Sequence, residues 1–204
     1  MALLALDKHK LKALIRERRA IGADRFDEVW NGIYVMAPSA NNEHFDFASE
    51  LQFIIRSALP IHTKVRLHQG PNVTDRHEKW TKNYRSPDLA VFLEGTSARD
   101  MGRYWYGGPD FAVEIISPND RSRKKFAFYA KVGVRELLLV DRKPWALELY
   151  RLHEGVLKLI GKSSPEHSET LTSEVLPLSL RCLPGEPRPK IELTQTTDAR
   201  QWLI

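Results

Sequence analysis

The 204-residue sequence carries 31 Lys and Arg against 26 Asp and Glu, a formal net charge of +5 with a pI near 9.3, and 42% hydrophobic residues. These values exclude a disordered or fibrous chain, predict one domain with a substantial core, and favour a polyanionic partner such as nucleic acid. One cysteine, Cys182, excludes an internal disulfide and a cysteine-rich zinc site, and no run approaches a membrane span, so the expected location is the cytoplasm with no membrane partner.

Leu4, Leu11, Leu14 and Ile15, set among basic residues, predict an amphipathic first helix to about Ala20 whose charge run reads as a solvated face. FDEVWNGIYVMAPS predicts two short strands around Asn31-Gly32, because Asn-Gly supplies the positive φ angles of a tight hairpin turn. A second helix is expected from about Asn42 to Leu59, with Phe47, Leu51, Ile54, Ile55 and Ala58 as its apolar stripe and Pro60 as its stop. Strands follow at Val65 to Val73 and at Arg85 to Leu93, then a polar, glycine-rich segment from Glu94 to Gly108.

The run DFAVEIISP places Glu114 inside a strand whose other residues, Phe111, Ala112, Val113, Ile115 and Ile116, read as buried on both faces. An ionised carboxylate there needs an ion partner or a metal, since burying it bare costs several kcal/mol. A third helix is expected over Asp120 to Val132, closed by Gly133. At about 100° per residue, Lys125 falls among Tyr129, Phe128 and Val132, whereas Lys124 and Lys131 fall at or beyond the edge of that face. Lys125 therefore points inward, towards either a structural ion pair or a catalytic site. Two more strands, Glu136 to Val140 and Ala146 to Leu152, and a last one near Ile191 to Leu193 complete a mixed α/β sheet flanked by helices.

Asp88, after Ser86-Pro87 at a strand start, reads either as turn chemistry or as a second oxygen ligand that could share a hard divalent cation with Glu114. SPDLAVF, VEIISPNDR and KFAFYAKVGVRELLLVD, together with EVWNGIYVMAPSANNEH and ALELYRL, resemble the successive motifs of the Uma-type putative restriction endonucleases, a bacterial family of the PD-(D/E)XK nuclease superfamily. The resemblance covers about Phe26 to Leu152, leaving residues 1–20 as an N-terminal helix and 153–204 as a C-terminal extension of a single restriction-endonuclease-like domain.

The resemblance implies an endonuclease that hydrolyses phosphodiester bonds in DNA with Mg²⁺ or Mn²⁺, held by Asp88, Glu114 and the backbone carbonyl of Ile115. It implies a catalytic role for Lys125, displaced from the superfamily position two residues after Glu114, where Ile116 stands here. His44 is a candidate phosphate contact or proton-transfer group, and Glu28, Glu43, Glu50, Ser117 and Asp120 are supporting candidates. Arg85, Arg121, Arg123, Lys124 and Lys82 are candidate DNA contacts, with Tyr104, Trp105 and Tyr106 as aromatic surface for a base. A homodimer is expected by analogy, since cutting both strands is simplest with two sites. Two other readings stay open: a nuclease fold that binds nucleic acid without cutting, and a two-carboxylate enzyme such as a glycosidase, which an inward Lys125 disfavours by keeping a neighbouring acid ionised.

Overall fold

The computed structural model describes residues 8–37, 41–60, 64–116 and 121–204. Leu4, Ser117 and Asp120 lie outside them. Helix α1 (Lys8–Ala20) is tied to the body at its end, where Arg18 donates to both carboxylate oxygens of Asp27, at 2.7 and 2.5 Å. Strands β1 (Glu28–Trp30) and β2 (Ile33–Val35) form the expected hairpin, with Asn31 at φ 49° and Gly32 at φ 87° supplying the turn. Helix α2 (Asn42–Ala58) starts where the Asn41 side chain accepts the backbone N–H of His44 at 3.0 Å, and its apolar stripe is buried as the sequence periodicity predicts.

The stretch expected as one strand over Val65 to Val73 divides into β3 (Arg66–Gln69) and β4 (Val73–Thr74), separated at Gly70, whose φ of 59° turns the chain. The next is likewise divided, into β5 (Tyr84–Arg85) and β6 (Leu89–Phe92) on either side of Pro87, which has no N–H for a ladder. The polar segment after β6 holds two short strands, β7 (Arg99–Asp100) and β8 (Trp105–Tyr106), too brief to leave a periodic signal.

Strand β9 (Phe111–Ile115) is followed by a 3-10 turn (Ser122–Lys125), helix α3 (Phe126–Val132), β10 (Glu136–Arg142), β11 (Trp145–His153) and β12 (Val156–Ser163). Gly133, at φ 85°, ends α3 and returns its N–H to the Ala130 and Tyr129 carbonyls. Beyond them lie β13 (Leu171–Thr172), β14 (Leu178–Leu183), β15 (Lys190–Gln195) and β16 (Gln201–Leu203), an antiparallel sheet of which the sequence reading recognised only the third strand.

The central sheet runs β12-β11-β10-β9-β6-β3, with β9 parallel to β10 and antiparallel to β6. Its strands alternate between two cores. Phe111, Val113 and Ile115 pack with α2 and the C-terminal sheet, whereas Ala112 shares the other face with Tyr129 and Phe128 of α3. A second sheet, β2-β1-β5-β4-β8-β7, carries Glu28. Among the described residues no helix is long and apolar enough to cross a membrane. Cys182 is fully buried on β14, and burial, then the Glu166 charge, push its thiol up to about 11, consistent with an inert thiol.

The C-terminal sheet is joined to β10 through a buried carboxylate. Glu136 accepts from Arg151 at 2.9 Å, from the Glu174 backbone N–H at 3.0 Å and from the Ser173 hydroxyl, which in turn accepts the N–H groups of Val175 and Leu176 at 3.1 and 2.8 Å. Ser173→Ala removes a donor and an acceptor from a buried network, and urea unfolding should show a loss of about 1–3 kcal/mol.

Candidate active site

The antiparallel pairing of Leu89 with Val113 brings Asp88, one residue earlier, across from Glu114, one residue later. The period of two then turns Glu114 to the α3 face of the sheet, and it is 2% exposed. Lys125 Nζ donates to its two oxygens at 2.9 and 3.0 Å, Ser122 Oγ donates to Oε2 at 3.0 Å, and the Tyr129 hydroxyl donates to Oε1. The inward direction of Lys125 read from the sequence is the observed one, although its first turn is a 3-10 turn rather than α-helix.

A second buried carboxylate reaches the same ammonium. Glu28, on β1, lies 2.9 Å from Lys125 Nζ and accepts from the Ser86 backbone N–H at 2.8 Å and from the Trp30 indole at 2.5 Å. Asp88 is held from two sides: Oδ2 accepts the Ile115 N–H at 2.6 Å, and Oδ1 lies 3.1 Å from His44 Nε2. His44 is 8% exposed, so the first turn of α2 delivers its ring into this cluster.

Two carboxyl groups thus contact one ammonium, and the charge of a third, Asp88, acts on it as well. Burial pushes the Glu114 carboxyl up, to about 8, with Lys125 opposing the rise and the charges of Asp88 and Glu28 adding to it. Burial works against the Lys125 charge too, but Glu114, Glu28 and Asp88 outweigh it and hold the ammonium above its ordinary value. Burial, followed by the Glu114 charge, keeps Tyr129 a neutral phenol.

Such an excess of acidic oxygens suits a hard divalent cation. Among the described residues, however, no three His, Cys, Asp or Glu side chains form a ready metal cluster. Glu114 already accepts four hydrogen bonds, so a metal must take the place of one of them. Asp88, with its side chain 22% exposed and one partner on each oxygen, has lone pairs to spare. The oxygen donors of Asp88, Glu114 and the Ile115 carbonyl are of the kind that could hold Mg²⁺ or Mn²⁺.

The other candidates separate. Arg85 is 5% exposed, lies over the Trp30 and Phe128 rings at 4.5 and 4.3 Å, and donates to the Val29 and Tyr84 carbonyls. It is therefore a packing group and does not offer its charge to DNA; burial lowers its pKa. Arg123 is half exposed and donates to Glu148 at 2.7 Å, Arg121 is partly exposed, and Lys124 and Lys82 are exposed.

Tyr104 stacks on Trp80 with centroids 4.7 Å apart and Trp105 on Phe92 at 3.6 Å, so both serve packing, while Tyr106 is partly exposed. Glu43 pairs with Arg142 at 2.9 Å, and Glu50 is exposed beside Trp202 and Leu203. Ser122 and Tyr129 were not among the sequence candidates. Their spacing around Lys125, three before and four after, is the helical signal that marks them.

Comparison with known proteins gives a family and a fold. A family model described as "Uma2: Putative restriction endonuclease" matches residues 21–184. The crystal structure of a putative nuclease belonging to DUF820 from Anabaena variabilis superposes with a TM-score of 0.57 at 18% identity, covering 74% of this chain and 83% of that one. No curated protein matches.

Proposed function

Since the chain belongs to the Uma2 family of putative restriction endonucleases, we propose that it is a metal-dependent nuclease that hydrolyses phosphodiester bonds in DNA. The observation that carries this reading is the meeting of Asp88, Glu114 and an inward Lys125 at one end of the central sheet, with the lysine supplied by the helix after the strand. Asp88, Glu114 and the Ile115 carbonyl would hold Mg²⁺ or Mn²⁺. A bound ion of this kind polarises a phosphate and lowers the pKa of an attacking water.

The chain's own groups have separable tasks. Asp88 is kept in place by the Ile115 N–H and His44, so His44 acts as a positioning residue for Asp88. Lys125 supplies the fixed positive charge on which the charge growing on phosphate is stabilised, and Glu28 sets where that ammonium rests. Tyr129 and Ser122 orient the Glu114 carboxylate.

One observation favours a second reading, a nuclease fold that binds nucleic acid without cutting: the oxygens of Glu114 are fully engaged and Lys125 is clamped between two carboxylates. Incubating the protein with supercoiled plasmid in Mg²⁺, in Mn²⁺ and in EDTA decides between them. Nicked or linear products formed only with metal support the nuclease. Plasmid that is bound and shifted but stays supercoiled supports the second reading.

A further inference from the structure

Charge is distributed unevenly along the chain. Helix α1 contains Lys8, Lys10, Lys12, Arg16, Arg18 and Arg19 against one acid, Glu17, a formal +5. The rest of the chain balances at 25 basic and 25 acidic residues, so the whole net charge of +5 resides on this one helix. α1 also precedes the residues that the family match covers, so this charge is carried outside the part that defines the nuclease fold.

Lys12, Arg16 and Arg19 follow one another at spacings of four and three residues and form a row along one side of the helix. Lys12 and Arg16 are exposed, and among the described residues neither has an ion-pair or hydrogen-bond partner. Arg19 is 66% exposed at its side chain and 3.6 Å from Asp24. Leu11, Leu14 and Ile15, partly buried, occupy a different side. Like charges at these spacings destabilise a helix that stands alone, and a row in which Lys12 and Arg16 have no counter-charge among the described residues suits a polyanion.

The row is fixed close to the candidate site. Arg18, on the same helix, holds Asp27, which also accepts from the Tyr34 hydroxyl at 2.5 Å and the Ala37 N–H at 2.8 Å. The residue after Asp27 is Glu28, which contacts the Lys125 ammonium. A 13-residue helix extends about 20 Å, and its C-terminal end is held to Asp27, the residue before the strand that carries Glu28.

We infer that α1 is an anchoring arm for duplex DNA, whose Lys12, Arg16 and Arg19 row binds the phosphate backbone beside the candidate site. This inference rests on the nuclease reading for the choice of polyanion, but binding and cutting are measured separately. The test is the affinity for a short fluorescein-labelled DNA duplex in EDTA, followed by anisotropy over a range of salt. It compares the unmodified protein, Lys12→Gln/Arg16→Gln, and a control of equal charge loss, Lys64→Gln/Lys158→Gln, with helicity checked by circular dichroism.

Each lost phosphate contact lowers the slope of log affinity against log salt by about 1, so the arm variant should lose about 2 from its slope, while the control keeps its slope. An unchanged slope in the arm variant, an equal loss in the control, or no binding of duplex by the unmodified protein overturns the assignment. So does binding to phosphatidylserine vesicles that depends on Lys12 and Arg16 where duplex binding does not. Binding through α1 without any cutting leaves the arm standing and defeats the nuclease reading; cutting with an unchanged slope does the reverse.

Discussion

Lys125→Met is expected to lower the unfolding free energy by about 3–5 kcal/mol and to reduce cleavage at least ~100-fold. The stability loss follows from burial. Lys125 is the ammonium in contact with Glu114 and Glu28, which are 2% and 4% exposed, and removing one partner of a buried pair leaves the remaining charge uncompensated. The loss of activity follows from removing a fixed positive charge from a dry site.

The loss should also depend on pH with a definite sign. Burial, opposed by Lys125, already holds the Glu114 carboxyl up at about 8 against an ordinary 4.5. A group raised in this way contributes its full stabilisation below its unfolded value and loses it as pH rises through the folded value. Without Lys125 the carboxyl rises further, so urea midpoints of the variant should keep falling as pH rises above about 8, where those of the unmodified protein level off. Parallel midpoints over that range would show that Glu114 and Lys125 do not share one charge balance.

Asp88→Asn separates function from stability. The substitution keeps the shape of the side chain and an oxygen for the Ile115 N–H, but removes the charge. Loss of a partner that only orients a metal ligand costs roughly 10–100-fold in metal affinity or activity, so loss of a ligand's charge should lower metal-dependent cleavage by at least about 100-fold. Asp88 is partly exposed, and its charge opposes ionisation of Glu114, so unfolding stability should stay within about 1 kcal/mol of the unmodified protein. A variant that cuts at full rate would remove Asp88 from the site.

Much of this cluster was legible in the sequence because two local signals mark it. A carboxylate inside a continuous apolar run singled out Glu114, and the helical period after it selected Lys125 over Lys124 and Lys131. Glu28 carried a weaker signal, because a three-residue strand is too short to show which face is buried. Arg85 misled by its position: its proximity in sequence to Asp88 says nothing about a side chain taken up between Trp30 and Phe128.

The two-residue strands β7 and β8 and most of the C-terminal sheet escaped for the same physical reason. Their identity comes from pairing across the sheet rather than from local pattern. The basic row on α1 was visible as charge, but only the folded chain showed that Lys12 and Arg16 have no counter-charge among the described residues while Arg18 is taken up by Asp27.

The measurement that tests the account most directly is equilibrium binding of Mn²⁺, followed by electron paramagnetic resonance, to the unmodified protein and to Asp88→Asn. It asks, without any choice of DNA substrate, whether the acidic cluster around Lys125 is a metal centre. A metal centre there means Mn²⁺ bound by the unmodified chain, competed by Mg²⁺, and weakened at least about 10-fold in the variant. No bound ion in the unmodified protein, or equal binding by both, would contradict it and leave Glu114 and Lys125 as a structural pair.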